Sequence, residues 1–153
     1  MTAPIELAPT RGATTRRLLT SVRHGAGRLH IALALTIVLA VFVQVYLIGS
    51  YIFGAGQGAL DAHKTVGFTT HGLELLILVA ALVAWLPRRD VILSALLAVI
   101  GTVQVALAGE QRWVGGLHPL LALLVLALAT PLARRGLRGP NGDQTAPNAP
   151  QPR

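Results

Sequence analysis

The chain of 153 residues has no cysteine, only six acidic residues and few aromatics; charged side chains make up 12% of it, against roughly 25% in a soluble domain. Without cysteine there is no disulfide, no thiolate metal site, no cysteine nucleophile and no thioether-linked c-type haem. A bound metal would have to rest on the five histidines. With so few charges, 53% hydrophobic residues and a mean hydropathy of +0.61, the apolar surface is too large for water and must face lipid. A soluble globular domain is excluded. The formal net charge of +7 could suggest nucleic acid. However, the arginines flank apolar runs and no basic helix is interleaved with aromatics, so membrane topology explains the charge and no nucleic-acid partner is expected.

Four runs are nearly free of charge: 29–60, 65–87 with only Glu74, 91–109 and 113–133. A membrane-spanning helix needs ~20 apolar residues, and backbone groups in lipid must be satisfied internally, so each run predicts a spanning helix. The expected spans lie near 29–52, 65–86, 91–108 and 115–134. The first is too long for a cleaved signal segment, whose apolar core is ~7–15 residues, and reads as a retained span. Eleven of the thirteen basic residues fall in the N-terminal segment, the 87–90 turn and the C-terminal tail. The positive-inside tendency then predicts a multi-pass protein of the cell (plasma) membrane with both termini cytoplasmic and the loops near 53–64 and 109–114 outside. Short connections make sequential helices antiparallel neighbours. The fold class is therefore an all-α, up-down-up-down four-helix transmembrane bundle over 29–135. It is preceded by a basic cytoplasmic segment, 1–28, and followed by a proline-rich tail, 136–153. The tail, and residues 1–15, lack the composition to pack and are expected to be disordered. The glycine-rich 53–64 stretch reads as a connector.

Measured from the nearest arginine, four polar residues reach nearly the same depth: Gln44, His71, Gln104 and His118 are 16, 17, 15 and 16 residues away. At ~1.5 Å per residue they form one polar layer in the outer half of the bundle. The segments Val43-Gln44-Val45-Tyr46-Leu47-Ile48-Gly49 and Val103-Gln104-Val105-Ala106-Leu107-Ala108-Gly109 also match, each preceding a loop and a histidine-bearing helix. A two-helix repeat follows, with the second and fourth helices diagonal across the bundle.

Histidine is costly against lipid and should point inward. His24 and His30 fall at the cytoplasmic headgroups, where water and phosphates satisfy them. His63, His71 and His118 are the candidate ligands: two imidazoles from diagonal helices at one depth suit the iron of a b-type haem, which needs no cysteine. Gly67, Gly72, Gly115 and Gly116 would let a flat macrocycle approach, although glycines also pack membrane helices. By depth His71 matches His118, and His63 lies higher on a straight helix. Hydrogen bonds from His71 and His118 to Gln44 and Gln104, holding helix register with no cofactor, fit the same spacing. Zinc or copper fits less well, because no paired i, i+4 histidines occur. Glu74, the one charge inside a span, lies a turn from His71 and suits a proton relay or a helix-to-helix hydrogen bond. No catalytic residue is assigned, and whether the chain is an enzyme stays open.

The stretch Gln104-Val-Ala-Leu-Ala-Gly with Leu117-His118-Pro-Leu-Leu resembles the third and fourth helices of one half of haem A synthase. Asp61-Ala-His63-Lys64-Thr-Val-Gly67 resembles the acidic residue, histidine, basic residue and glycine at that family's second helix. The pattern is also similar to small bacterial four-helix membrane proteins of uncharacterised function. The resemblance spans residues 29–135 and implies axial histidines at His118 and His63, against the depth argument for His71. Here the acidic residue stands two positions before the histidine rather than three, and one half of eight helices is matched, so haem binding carries over and oxidative catalysis does not. The leading expectation is a haem b protein with an electron-transfer role, its partners the lipid bilayer and a quinone or membrane redox protein, with a homodimer better enclosing the cofactor. The alternative is a cofactor-free accessory or structural subunit of a larger membrane complex.

Overall fold

The computed structural model describes residues 11–108 and 114–137. They form four helices, α1 (Arg11–Ile52), α2 (Gln57–Val83), α3 (Arg88–Leu107) and α4 (Leu117–Leu137), with no strand among the described residues. Each is long and apolar enough to cross a membrane, and the protein is a multi-pass, all-α four-helix bundle. Neighbouring helices pack in a ring, α1 on α2, α2 on α3, α3 on α4 and α4 back on α1. Neither diagonal pair, α1 with α3 or α2 with α4, brings Cα atoms within 8 Å. The two diagonals meet through side chains instead. Contacts near the α2–α3 turn define an arginine end of the bundle, and those near the α1–α2 and α3–α4 connections define a histidine end.

One stripe of each helix is buried, at the spacing a 3.6-residue turn requires. Leu33, Ala34, Ile37 and Val41 of α1 meet Ile77 and Ala80 of α2, Leu97 of α3, and Val125, Ala129, Leu132 and Ala133 of α4. The alanines matter because lipid gives helices no hydrophobic reason to associate, so close approach of small residues must supply dispersion contacts. The remaining faces carry exposed large apolar residues such as Leu39, Phe42, Val79, Val99 and Leu123, as lipid-facing surfaces should. Threonines 36, 70, 102 and 130 each donate to the carbonyl four residues back, which satisfies their hydroxyls within their own helix.

Two helix boundaries differ from the sequence expectation. α1 starts at Arg11 rather than near 29 and has 42 residues, about 63 Å at 1.5 Å per residue and roughly twice a membrane crossing. Residues 11–15, expected to be disordered, are helical: no proline interrupts 11–28, and a helix nucleated in the span propagates cheaply into it. α2 starts at Gln57, so most of the expected 53–64 connector is its first two turns. The expected disorder of residues 1–10 and of the tail beyond 137 lies outside the described residues.

The turns explain where α1 and α2 stop. After α1, Gly54 takes φ 93°, Gly54 N–H donates to Tyr51 O and Ala55 N–H to Ser50 O, a Schellman closure with glycine where the left-handed backbone requires it. After α2 the same closure recurs, Trp85 N–H to Leu82 O and Leu86 N–H to Ala81 O, but the left-handed residue is Trp85, at φ 54°. A tryptophan there costs about 1 kcal/mol relative to glycine, so its ring must contribute something in return. Pro87 then bars helix continuation and caps α3.

At the middle of the bundle Glu74 of α2 is 3% exposed, its Oε2 3.5 Å from His71 Nδ1. It faces Gly101 of α3, where a Cβ would overlap the carboxyl and stand 2.9 Å from His71 Nδ1. Glycine is what lets α2 and α3 close over a buried carboxyl. Gly101→Val should therefore destabilise the bundle by about 2 kcal/mol. Adding Glu74→Ala should recover most of that loss in equilibrium unfolding in mixed micelles, since the overlapping group is gone.

Candidate functional site

At the histidine end, His63 of α2 and His118 of α4 face each other across the bundle, ring centroids 6.1 Å apart and ring planes at 69°. His63 stands in the second turn of α2. His118 stands in the first turn of α4, where its N–H reaches Gly115 O and where Pro119 is tolerated because a first-turn N–H has no intrahelical acceptor.

Each imidazole is held by the helix preceding it. His63 Nδ1–H donates to the backbone carbonyl of Gln44 at 3.1 Å, and His118 Nδ1–H to the backbone carbonyl of Gln104 at 3.3 Å. Gln104 O also accepts from Ala108 N–H, so the histidine takes the second lone pair of a carbonyl already in a helix ladder. The two helix pairs thus make one contact twice, α1 carbonyl to α2 imidazole and α3 carbonyl to α4 imidazole. With Nδ1 carrying the proton, Nε2 of each ring keeps a free lone pair. Among the described residues neither Nε2 has a hydrogen-bond partner.

This arrangement fits a metal held from two sides. A ligating nitrogen sits about 2 Å from a metal, so two rings bound through Nε2 on opposite faces of one ion have centres about 6 Å apart. A ligating imidazole ordinarily gives its other N–H to a carbonyl or carboxylate, which fixes the ring and the tautomer. The side-chain oxygen of Gln44 is buried beside His63 with no hydrogen-bond partner, and its amide nitrogen would be 2.8 Å from a Cβ at Gly67. Among the described residues no three His, Asp or Glu side chains gather round one point, so a site here would have two protein ligands. That suits an ion whose remaining positions are filled by a macrocycle.

The other sequence candidates fall elsewhere. His71 belongs with Glu74 and Gly101, about a turn nearer the arginine end than Gln104, and does not approach His118. The depth count from Arg88 treated Ala84–Pro87 as rising helix, whereas those residues form the turn. Gln44 and Gln104 take part, but through main-chain oxygens, a role no side-chain pattern reveals. Gly67 lies against the Gln44 amide, and Gly72 faces open space.

His24 is exposed at the arginine end, as expected, but His30 is not satisfied by headgroups: it is 2% exposed and its Nε2 is 3.0 Å from Ser94 Oγ of α3. The Ser94 hydroxyl donates to Asp90 O at 2.8 Å. Its proton is committed there, so His30 Nε2–H must be the donor to Ser94. Asp90, 2% exposed in the first turn of α3, pairs with Arg135 of α4. This chain of His30, Ser94, Asp90 and Arg135 joins α1, α3 and α4, and the sequence reading missed it. Asp90 looks like a turn residue beside Arg88 and Arg89. The available signal was its place on the stripe Asp90, Ser94, Leu97, Ala98 and Gly101, all of which are buried.

The chain matches no curated protein and no solved structure. Residues 44–111 match a protein family described as a family of unknown function (DUF6220), a stretch that begins at Gln44 and takes in His63, His71, Glu74 and Gln104 but stops short of His118.

Proposed function

We propose that the protein binds one b-type haem, with His63 and His118 as axial ligands, and serves in electron transfer within the membrane. The observation carrying this reading is the pair of imidazoles 6.1 Å apart, each tied through Nδ1 to a main-chain carbonyl and each with Nε2 free. The resemblance to one half of haem A synthase supports the same two residues. The chain's own part would be to present two neutral, half-buried imidazoles at fixed orientation and to raise their basicity as ligands through the carbonyl hydrogen bonds. The haem would supply a one-electron couple. A cofactor-free role as a subunit of a larger membrane complex remains the competing reading, and the same histidine bonds would then serve only register.

The test is the reduced-minus-oxidised spectrum of the protein purified in mild detergent from cells supplied with haem precursor. Sharp bands of a six-coordinate, low-spin haem at one per chain are expected. Their absence from well-folded protein reconstituted with haem overturns the reading.

The same proposal sets the protein in the cell membrane with the arginine end cytoplasmic, on the distribution of basic residues. Because the chain has no cysteine, single-cysteine variants report topology without background. Asp61→Cys should react with an impermeant maleimide on intact cells, and Arg89→Cys only after permeabilisation; the reverse pattern would invert the orientation.

A further inference from the structure

The arginine end holds a cleft of about 880 Å³, within the ~300–1,000 Å³ of small-ligand sites, between α1, the α2–α3 turn and the end of α4. Its polar side is built by Arg23, His24, Arg28 and the hydroxyl-bearing Thr20 and Ser21; its apolar side is Ile31, Leu86 and Leu132. Arg135 and the Asp90 carboxylate also line it but are committed to each other. Neither Arg23 nor Arg28 has a carboxylate partner among the described residues, so two guanidinium charges converge on the cleft uncompensated.

Arg23 is also positioned. Its guanidinium carbon lies 5.1 Å from the ring centre of Trp85, the residue held in the left-handed backbone conformation at the end of α2. The strain found there is the cost of placing an aromatic platform under Arg23, which holds the long α1 extension against the α2–α3 turn and points a cation at the cleft.

We propose that this cleft is a binding site for the phosphate headgroup of an anionic membrane lipid, with Arg23 and Arg28 on the phosphate and the acyl chains continuing along the apolar side. A neutral ligand such as a quinone would leave both guanidinium charges unpaired. A freely soluble anion would leave Ile31, Leu86 and Leu132 against water. A cation flanked by apolar surface at the end of a helix bundle matches an amphiphile, and basic pockets between spanning helices are where anionic headgroups bind. The site lies at the opposite end of the bundle from His63 and His118 and does not depend on haem.

The full chain in mixed micelles is titrated with dioleoylphosphatidylglycerol, and retained lipid is read by native mass spectrometry, with dioleoylphosphatidylcholine as the neutral comparison. One phosphatidylglycerol per chain should be retained in preference to phosphatidylcholine. Arg23→Gln with Arg28→Gln should weaken it about 25-fold, at about fivefold for each arginine. The pair Arg17→Gln with Arg88→Gln removes the same charge outside the cleft and should change retention less than about twofold if the loss is local. Trp85→Gly, which relieves the backbone strain and so should fold at least as well, should still weaken the lipid about two- to fivefold by releasing Arg23. Equal retention of the two lipids, or equal loss in both arginine pairs, overturns the proposal. So does displacement by inorganic phosphate at the concentration of the lipid, which would make the cleft a free-phosphate site.

Discussion

His118→Ala and His63→Ala should each abolish the low-spin haem spectrum, while His71→Ala should keep it. On the proposed reading His63 and His118 would hold the haem, so removing either imidazole would leave broad bands or no retained haem, because among the described residues neither diagonal helix has a second histidine within reach. His71 is held beside Glu74, eight residues or about 12 Å along α2 from His63, so its loss should alter packing and leave the proposed ligands in place. The sharper arm uses Gln44 and Gln104. The imidazoles are anchored by main-chain carbonyls, so Gln44→Leu and Gln104→Leu keep both acceptors and should keep the bands. A cofactor-free bundle uses the same main-chain bonds, so it would lose stability in the His63 and His118 variants, keep it in the glutamine variants, and be spectrally silent in all five. Retention of the bands in both His118→Ala and His63→Ala would remove the ligand assignment altogether.

The four spans were legible because lipid makes the rule severe: a charge inside a span is expensive, so gaps between charges mark the helices. The diagonal placement of α2 and α4, expected from the two-helix repeat, is what the packing ring gives. The repeated Gln-bearing segments pointed to two like helix pairs; that each pair makes the same carbonyl-to-imidazole contact is seen only in the structure. What stayed hidden was depth. Counting residues from Arg88 to His71 works only if every residue rises 1.5 Å, and the Schellman closure at Trp85 breaks that ruler. The resemblance carried by Asp61-Ala-His63-Lys64 used no ruler, and the residue it named, His63, is the one whose ring faces His118. Sequence also could not show that the glutamines act through their carbonyls, since every residue has one.

The arginine end shows the opposite failure. Solvated-charge reasoning fits Arg16, Arg17 and Arg88, which are exposed, and fails for Asp90 and His30, which are among the most buried residues in the chain. Polar groups are tolerated there because each is answered by a neighbour on another helix. The apolar core between the two ends sets alanines among leucine, isoleucine and valine, and offers no directional bond between helices. The polar chain at one end and the paired imidazoles at the other therefore set how the helices are aligned.

The arginine-end chain makes a prediction with an asymmetry that tests that role. Arg135→Ala should destabilise the bundle by about 3 kcal/mol, because it strands the Asp90 carboxylate, 3% exposed, without its only cationic partner among the described residues. The loss sits at the low end for a buried pair: Asp90 lies in the first turn of α3, where the helix dipole favours a negative charge, and half of Arg135 already faces outward. Asp90→Asn should cost less, about 1 kcal/mol, since Arg135 can swing to solvent or headgroups while the backbone carbonyl at this position keeps its link to Ser94. Asp90→Asn placed in the Arg135→Ala background should then recover about 2 kcal/mol, as an uncharged side-chain amide needs no cation. Equilibrium unfolding of the four proteins in mixed micelles measures the cycle. Equal losses in the two single variants with no recovery in the double would mean that the carboxylate is not stranded by loss of the arginine, and that alignment of α3 against α4 rests on the apolar stripe alone.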